Sequence, residues 1–296
     1  MLPLAGRIEG LVRSFLRRLP LSDYQKTRLW ATSLPRPRGR VQDWSYYRCV
    51  ELATRGFATP EGYAVAFPGA GNPDSAFSML EFGVANGHSF QILLHFRDVW
   101  LKQLHLENKV MAVGFDTFEG IPAAQLGDVG LLWREGDFTR VDLDSLQTYL
   151  DARFNNFRLV KGQFKDTLPQ YDQFLREHPP VFVSIDCDYY SSTMDVFGRL
   201  LPDIAPHGCL FYFDDVGINF GSDKTGELRA IAEVNAGKFG SHISLVEYPL
   251  WIETREMRHY KQVYRLFNLE AAEKLRRSRP PCASKQVTRS TRISPL

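Results

Sequence analysis

The chain has 296 residues, and 36 Lys and Arg stand against 34 Asp and Glu for a formal net charge of +2. A balance so close to zero argues against a dedicated nucleic-acid binder or an acidic, tail-like protein. It hides a partition: residues 1–40 carry +7, residues 276–296 carry +6, and the 235 residues between them carry −11.

At the start, Leu4, Ile8, Leu11, Val12, Phe15, Leu16 and Leu19 recur at helical spacing, with Arg7, Arg13, Arg17 and Arg18 mostly on other faces. This predicts an amphipathic helix. Such a helix suits docking on its own domain or on a second subunit, peripheral membrane contact through residues 1–20, or a removed targeting peptide. Residues 33–40 (SLPRPRGR) read as a linker. No stretch reaches the roughly 18–20 apolar residues of a membrane span. Cys49, Cys187, Cys209 and Cys282 show no C-x-x-C pairing, so a reducing cytoplasm fits better than a disulfide framework.

From residue 76 strand-like and helix-like segments alternate. Strands are predicted over 77–83, 109–115, 157–162, 180–186, 209–215, 242–248 and 261–268, and helices over 88–108, 166–178, 193–204 and 228–237. Strands as apolar as PVFVSI need cover on both faces, which predicts an α/β fold: a mostly parallel, Rossmann-like sheet with helices on both sides. The last two strands have little helix between them and suggest an antiparallel insertion. The expected division is a helix and linker over 1–45, one α/β domain over 46–275, and a basic, disordered tail over 276–296.

In such a sheet ligands bind beyond the carboxyl ends of the strands. The first strand runs into Gly83-Val84-Ala85-Asn86-Gly87, a turn that is either an ordinary strand–helix connection or a cofactor loop. The second ends at Asp116, either a loop or capping acid or an acceptor for ribose hydroxyls. The fourth and fifth end at Asp186-Cys187-Asp188 and Asp214-Asp215. Converging carboxylates repel unless a cation compensates, and an all-oxygen set favours Mg²⁺ or Mn²⁺, with Asp186, Asp214 and Asp215 as ligands. The competing reading has one acid of each pair capping the next helix, Asp188 at the Ser191–Thr193 start. Asp-Cys-Asp after an apolar strand also fits a metal-dependent glycosyltransferase, and a non-catalytic relative of the fold is a third alternative.

The segments EFGVANGHS, GFDTFEGIP, LVKGQFKDTLP, SIDCDYYSSTMDVFGRLLPDIAPHGCLFYFDD and TGELRAIAEV resemble class I S-adenosylmethionine-dependent methyltransferases, and more narrowly the macrocin O-methyltransferase group. The resemblance covers roughly residues 76–270. It implies a seven-stranded sheet with an antiparallel last strand and methyl transfer to a hydroxyl of a sugar or other small natural product. By carry-over, Glu81, Gly83, Gly87, His88 and Ser89 would meet the methionine end of the donor and Asp116 and Thr117 its ribose. Gln163 and Phe164 would meet its adenine, and Asp186 would contact the donor as well as the metal. Asp186 and Asp188 are the candidate catalytic residues, with Tyr189 or a solvent chain as alternative proton acceptors. Ala85 and Asn86 stand where the macrolide-sugar enzymes place a bulky aromatic and an Arg, and Tyr189 stands where catechol-type enzymes present a Lys.

Overall fold

The computed structural model describes residues 49–54, 75–129, 133–138, 141–248 and 262–278. The expected N-terminal amphipathic helix, the expected linker and the tail from residue 279 lie outside them. Among the described residues no helix is long and apolar enough to cross a membrane.

Seven strands form one sheet: β1 (Phe77–Phe82), β2 (Val110–Asp116), β3 (Phe157–Lys161), β4 (Pro180–Ile185), β5 (Leu210–Phe213), β6 (Ile243–Glu247) and β7 (Val263–Asn268). Their order is β3-β2-β1-β4-β5-β7-β6. β1 to β5 run parallel, and β7 inserts antiparallel between β5 and β6. Every residue of β1, β4 and β5 is buried, as expected of central strands covered on both faces, and the polar residues Ser78, Glu81 and Ser184 are buried among the apolar ones.

The helices are α1 (His88–Gln103), α2 (Leu143–Asp151), α3 (Phe164–Thr167), α4 (Asp172–Glu177), α5 (Tyr190–Leu200), α6 (Gly226–Asn235) and α7 (Leu269–Ser278). Residues 49–54 are helical too, and Cys49, Val50, Leu52 and Ala53 join the core. Three boundaries differ from the sequence reading. α1 stops at Gln103 rather than Asn108, where His105 and Asn108 take positive φ. The helix expected over 166–178 is two short helices around a 3₁₀ turn, Leu168–Tyr171, with a proline in its first turn, because Pro169 cannot donate into a preceding helix. α7 takes in the first three residues of the segment read as a disordered tail.

The helix α2 is absent from the sequence reading. Asp142 caps it, accepting from Ser145 N–H at 3.1 Å and Ser145 Oγ at 2.7 Å, and Leu146 and Leu150 bury its inner face. The feature that positions the site is the sheet order. β1 neighbours both β2 and β4, so the chain reverses its direction of winding at the β1–β4 boundary, where such sheets leave a crevice beyond their carboxyl ends.

Candidate active site

The turn after β1 is pressed against the end of β4. Gly83 has φ +94°, and a methyl built on it would overlap the main-chain carbonyl oxygen of Asp186. Only glycine allows that approach. Asp186 N–H in turn donates to Phe82 O at 2.8 Å, and Asp214 N–H to Ile185 O at 3.0 Å. Three strand ends are thereby locked at one level.

Beyond them opens a cavity of about 750 Å³. Its walls include Gly83, His88 and Ser89 from the first turn, Asp116 and Thr117 from the second strand, and Gln163 and Phe164 from the third. Asp186, Asp188, Asp214 and Asp215 complete it from the fourth and fifth. Two of the expected donor residues stand back from the lining. Glu81 and Gly87 lie behind the cavity surface: Glu81 is fully buried within β1, opposite Gly114 and Ser184, and accepts from Ser89 Oγ at 2.8 Å. Gly87 turns the chain into α1 against Leu146. Glu81 thus orients Ser89, which does face the cavity. Asp116 faces it too, while its carboxylate ties the turns together by accepting from Ala85 N–H at 2.8 Å and from Phe118 N–H. His88 Nε2 is buried without a hydrogen-bond partner at the N-terminus of α1.

The acids converge. One carboxylate oxygen from each of Asp186, Asp214 and Asp215 lies within 4.8 Å of the others. Burial first, then the charges of Asp214, Asp215, Glu81 and Asp188, hold the Asp186 carboxyl well above the ordinary range. Burial and the charges of Asp188 and Asp214 do the same to Asp215. Asp188 is pushed up to about 6 chiefly by burial, with Asp214 adding to it and Asp215 opposing. The surroundings brace these groups. Tyr212 OH donates to Asp214 Oδ1 at 2.9 Å, Asp188 N–H to Asp215 Oδ2 at 3.0 Å, and Asp215 N–H to Glu227 Oε2 at 2.9 Å. Asp188 does not cap α5: the carboxylate taking that helix's first-turn N–H is Asp128, at 2.8 Å from Ser191 N.

Comparison with known proteins fixes the lineage. A family model described as macrocin-O-methyltransferase matches residues 77–236, more than half of the chain. The chain belongs to that family. Among solved structures it is similar to CalS11, a calicheamicin methyltransferase, at 18% identity and TM-score 0.54, covering 90% of this chain and 93% of that one. It is also similar to the O-methyltransferase NovP, at 19% identity and TM-score 0.47, covering 77% and 78%. At those identities the likeness concerns the fold. No curated protein sequence matches the chain.

The chain is accordingly a methyltransferase. Sequence reasoning missed much of its cavity. Phe118, Ile121, Trp133, Phe138 and Val141 form a wall from the β2–α2 connection, and Lys165, Ser192 and Asp195 another from α3 and α5. The connection has no period to read, although its Gly-Asp and Glu-Gly-Asp pairs mark turns. Glu227, buried beneath Asp215 in the first turn of α6, was missed as well.

Proposed function

We propose that the chain transfers a methyl group from S-adenosylmethionine to a hydroxyl of a small natural-product acceptor, a sugar or sugar-bearing molecule, with a divalent cation at the strand-end acids. The observation that carries this is the meeting of a glycine-pinned turn and three converging carboxylates on one cavity.

The residues present fit both groups. A donor of nucleoside size suits a cavity of about 750 Å³. The unpartnered His88 Nε2, beside Ser89 at the start of a helix, offers a polar contact for the charged methionine end. Gln163 and Phe164 would meet the adenine, and Asp116 and Thr117 the ribose. Asp186, Asp214 and Asp215 supply oxygen only, the donor set of Mg²⁺ or Mn²⁺. Bound there, the cofactor supplies an electrophilic methyl group and the cation lowers the pKa of an acceptor hydroxyl.

The chain's own residues do the rest. The locked strand ends hold acceptor and donor in line, which can lower a barrier by several kcal/mol. Asp188, raised to about 6, sits at the cavity as the acceptor of the hydroxyl proton. A sugar-nucleotide transferase is disfavoured by the family match and by the Gly turn on β1. The test is methyl-label transfer from S-adenosylmethionine to a panel of glycosylated macrolides and deoxysugars, with Mg²⁺ or with chelator. Transfer that survives chelation removes the metal, and no transfer to any hydroxyl of the panel removes the acceptor class.

A further inference from the structure

The described residues between β2 and α2 form a built wall. Its two legs are stapled: Gly136 N–H donates to Ile121 O at 2.9 Å, Ile121 N–H to Asp137 O at 3.0 Å, and Val141 N–H to Phe118 O at 3.2 Å. Its tip is pinned at Asp128, which accepts from Ser191 N–H at 2.8 Å, Ser191 Oγ at 2.7 Å and Gln125 N–H at 2.8 Å. That joins the tip to the first turn of α5, the helix that follows Asp186 and Asp188. The pinned segment carries two aromatic rings facing the cavity, Trp133 and Phe138, with centroids 4.7 Å apart and planes inclined by 54°.

Phe138 draws attention on two counts. It has φ +57°, a conformation a bulky residue takes only under constraint, and it is 51% exposed. A large ring held in a strained conformation at the mouth of a cavity, half in water, contributes little to the core. The chemistry around the pair narrows what it would meet. The described lining residues include Asp186, Asp188, Asp195, Asp214 and Asp215, with Lys165 as the one ammonium among them. With Asp186, Asp214 and Asp215 holding a cation, Asp116, Asp188 and Asp195 still outnumber that ammonium, so a neutral ligand suits the described lining better than an anion. A ring with an apolar C–H face and neutral hydroxyls matches both the aromatic surface and the acids.

We propose that Trp133 and Phe138 form the acceptor subsite, taking the C–H face of a neutral carbohydrate ring, and that Asp128 is a positioning residue setting their distance from the strand-end acids. The proposal rests on the methyltransferase reading above and adds where the acceptor lies and what selects it. Asp128 acts through the wall and not on the reacting atoms. Its loss should therefore move acceptor affinity and leave donor affinity in place.

The full chain, loaded with S-adenosylhomocysteine and Mg²⁺, is titrated with methyl glycosides of deoxyhexoses and with the matching open-chain alditols, followed by saturation-transfer NMR. The glycosides should bind through their ring C–H protons and the alditols should not. Trp133→Ala and Phe138→Ala should each weaken glycoside binding by up to about tenfold, with less than a twofold change for S-adenosylhomocysteine. Asp128→Ala should act in the same direction, with part of the effect restored in Asp128→Asn, which keeps one acceptor oxygen. Phe138 is exposed enough that its truncation leaves the fold intact, so that variant decides if Trp133→Ala misfolds. Equal binding of ring and alditol, no glycoside binding, or unchanged glycoside affinity in Phe138→Ala would overturn the subsite. Failure of S-adenosylhomocysteine to bind would instead bring down the methyltransferase reading, and the subsite with it.

Discussion

Gly83→Ala is the sharpest test of the idea that the site is locked by backbone contact. At φ +94° an L-residue is strained by about 1–2 kcal/mol. The new methyl would also overlap the Asp186 carbonyl oxygen and come within 2.7 Å of its carbonyl carbon, and both atoms are backbone, unable to rotate away. The end of β1 or of β4 must therefore shift by on the order of 1 Å, and with β4 goes a predicted metal ligand. A misplacement of that size can cost about a hundredfold in rate. Strain and displacement together should lower stability by about 2–4 kcal/mol. Thermal unfolding, Mg²⁺ titration and methyl-label transfer read the three consequences. A Gly83→Ala protein with wild-type melting temperature and Mg²⁺ affinity would refute the reasoning, because the turn would then be free to move away from Asp186.

Three further outcomes follow from the same geometry. Asp214→Asn combined with Asp215→Asn should cut transfer by about a hundredfold or more. Without metal the same variant should raise the melting temperature by a few degrees, since two mutually repelling buried carboxylates become neutral; a lower melting temperature would count against the repulsion. His88→Ala should weaken S-adenosylhomocysteine up to about tenfold in calorimetry while leaving Mg²⁺ affinity alone, and an unchanged constant would remove His88 from the donor site. The third concerns pH. Carboxyls raised in the folded state bind protons that the unfolded chain releases near roughly pH 4. Their contribution to metal-free stability is therefore complete below that pH and is lost as pH rises through about 6 for Asp188; Asp186 and Asp215, raised in the same direction, lose theirs above the ordinary carboxylate range too. Melting temperatures in chelator should show this fall between about pH 4 and 6, and Mg²⁺ should flatten it; parallel curves would contradict the assignment.

How much of this could be read from sequence follows from the physics of each part. The central strands were legible because burial on both faces leaves a mostly apolar run without polar alternation, as in Pro180–Ile185. The acids were legible because a polar residue directly after such a run must lie at the sheet's carboxyl edge, as Asp186 and Asp214 do. β7 was legible as antiparallel, and its place between β5 and β6 needed the structure. The helix α2 is short, yet its Leu143, Leu146 and Leu150 at i, i+3 and i+7 and its Asp142–Ser145 cap were both available signals. Glu81 and Gly87 were expected near the methionine end by resemblance; that Glu81 holds Ser89, which lines the cavity, needed the structure. The aromatic wall was invisible because its order comes from long-range bonds such as Ser191 to Asp128, 63 residues apart. No local pattern encodes those.

The charge partition has a matching structural basis in part. The five acids Asp186, Asp188, Asp214, Asp215 and Glu227 cluster at and beneath one cavity, where a cationic methyl donor and a divalent ion would both be stabilised. The basic segments 1–40 and 279–296 lie outside the described residues.

Calorimetric titration of S-adenosylmethionine into the full chain with Mg²⁺ tests the central claim most directly. The account predicts saturable heat for one site per chain, diminished in Gly83→Ala. No heat with the methyl donor would contradict it.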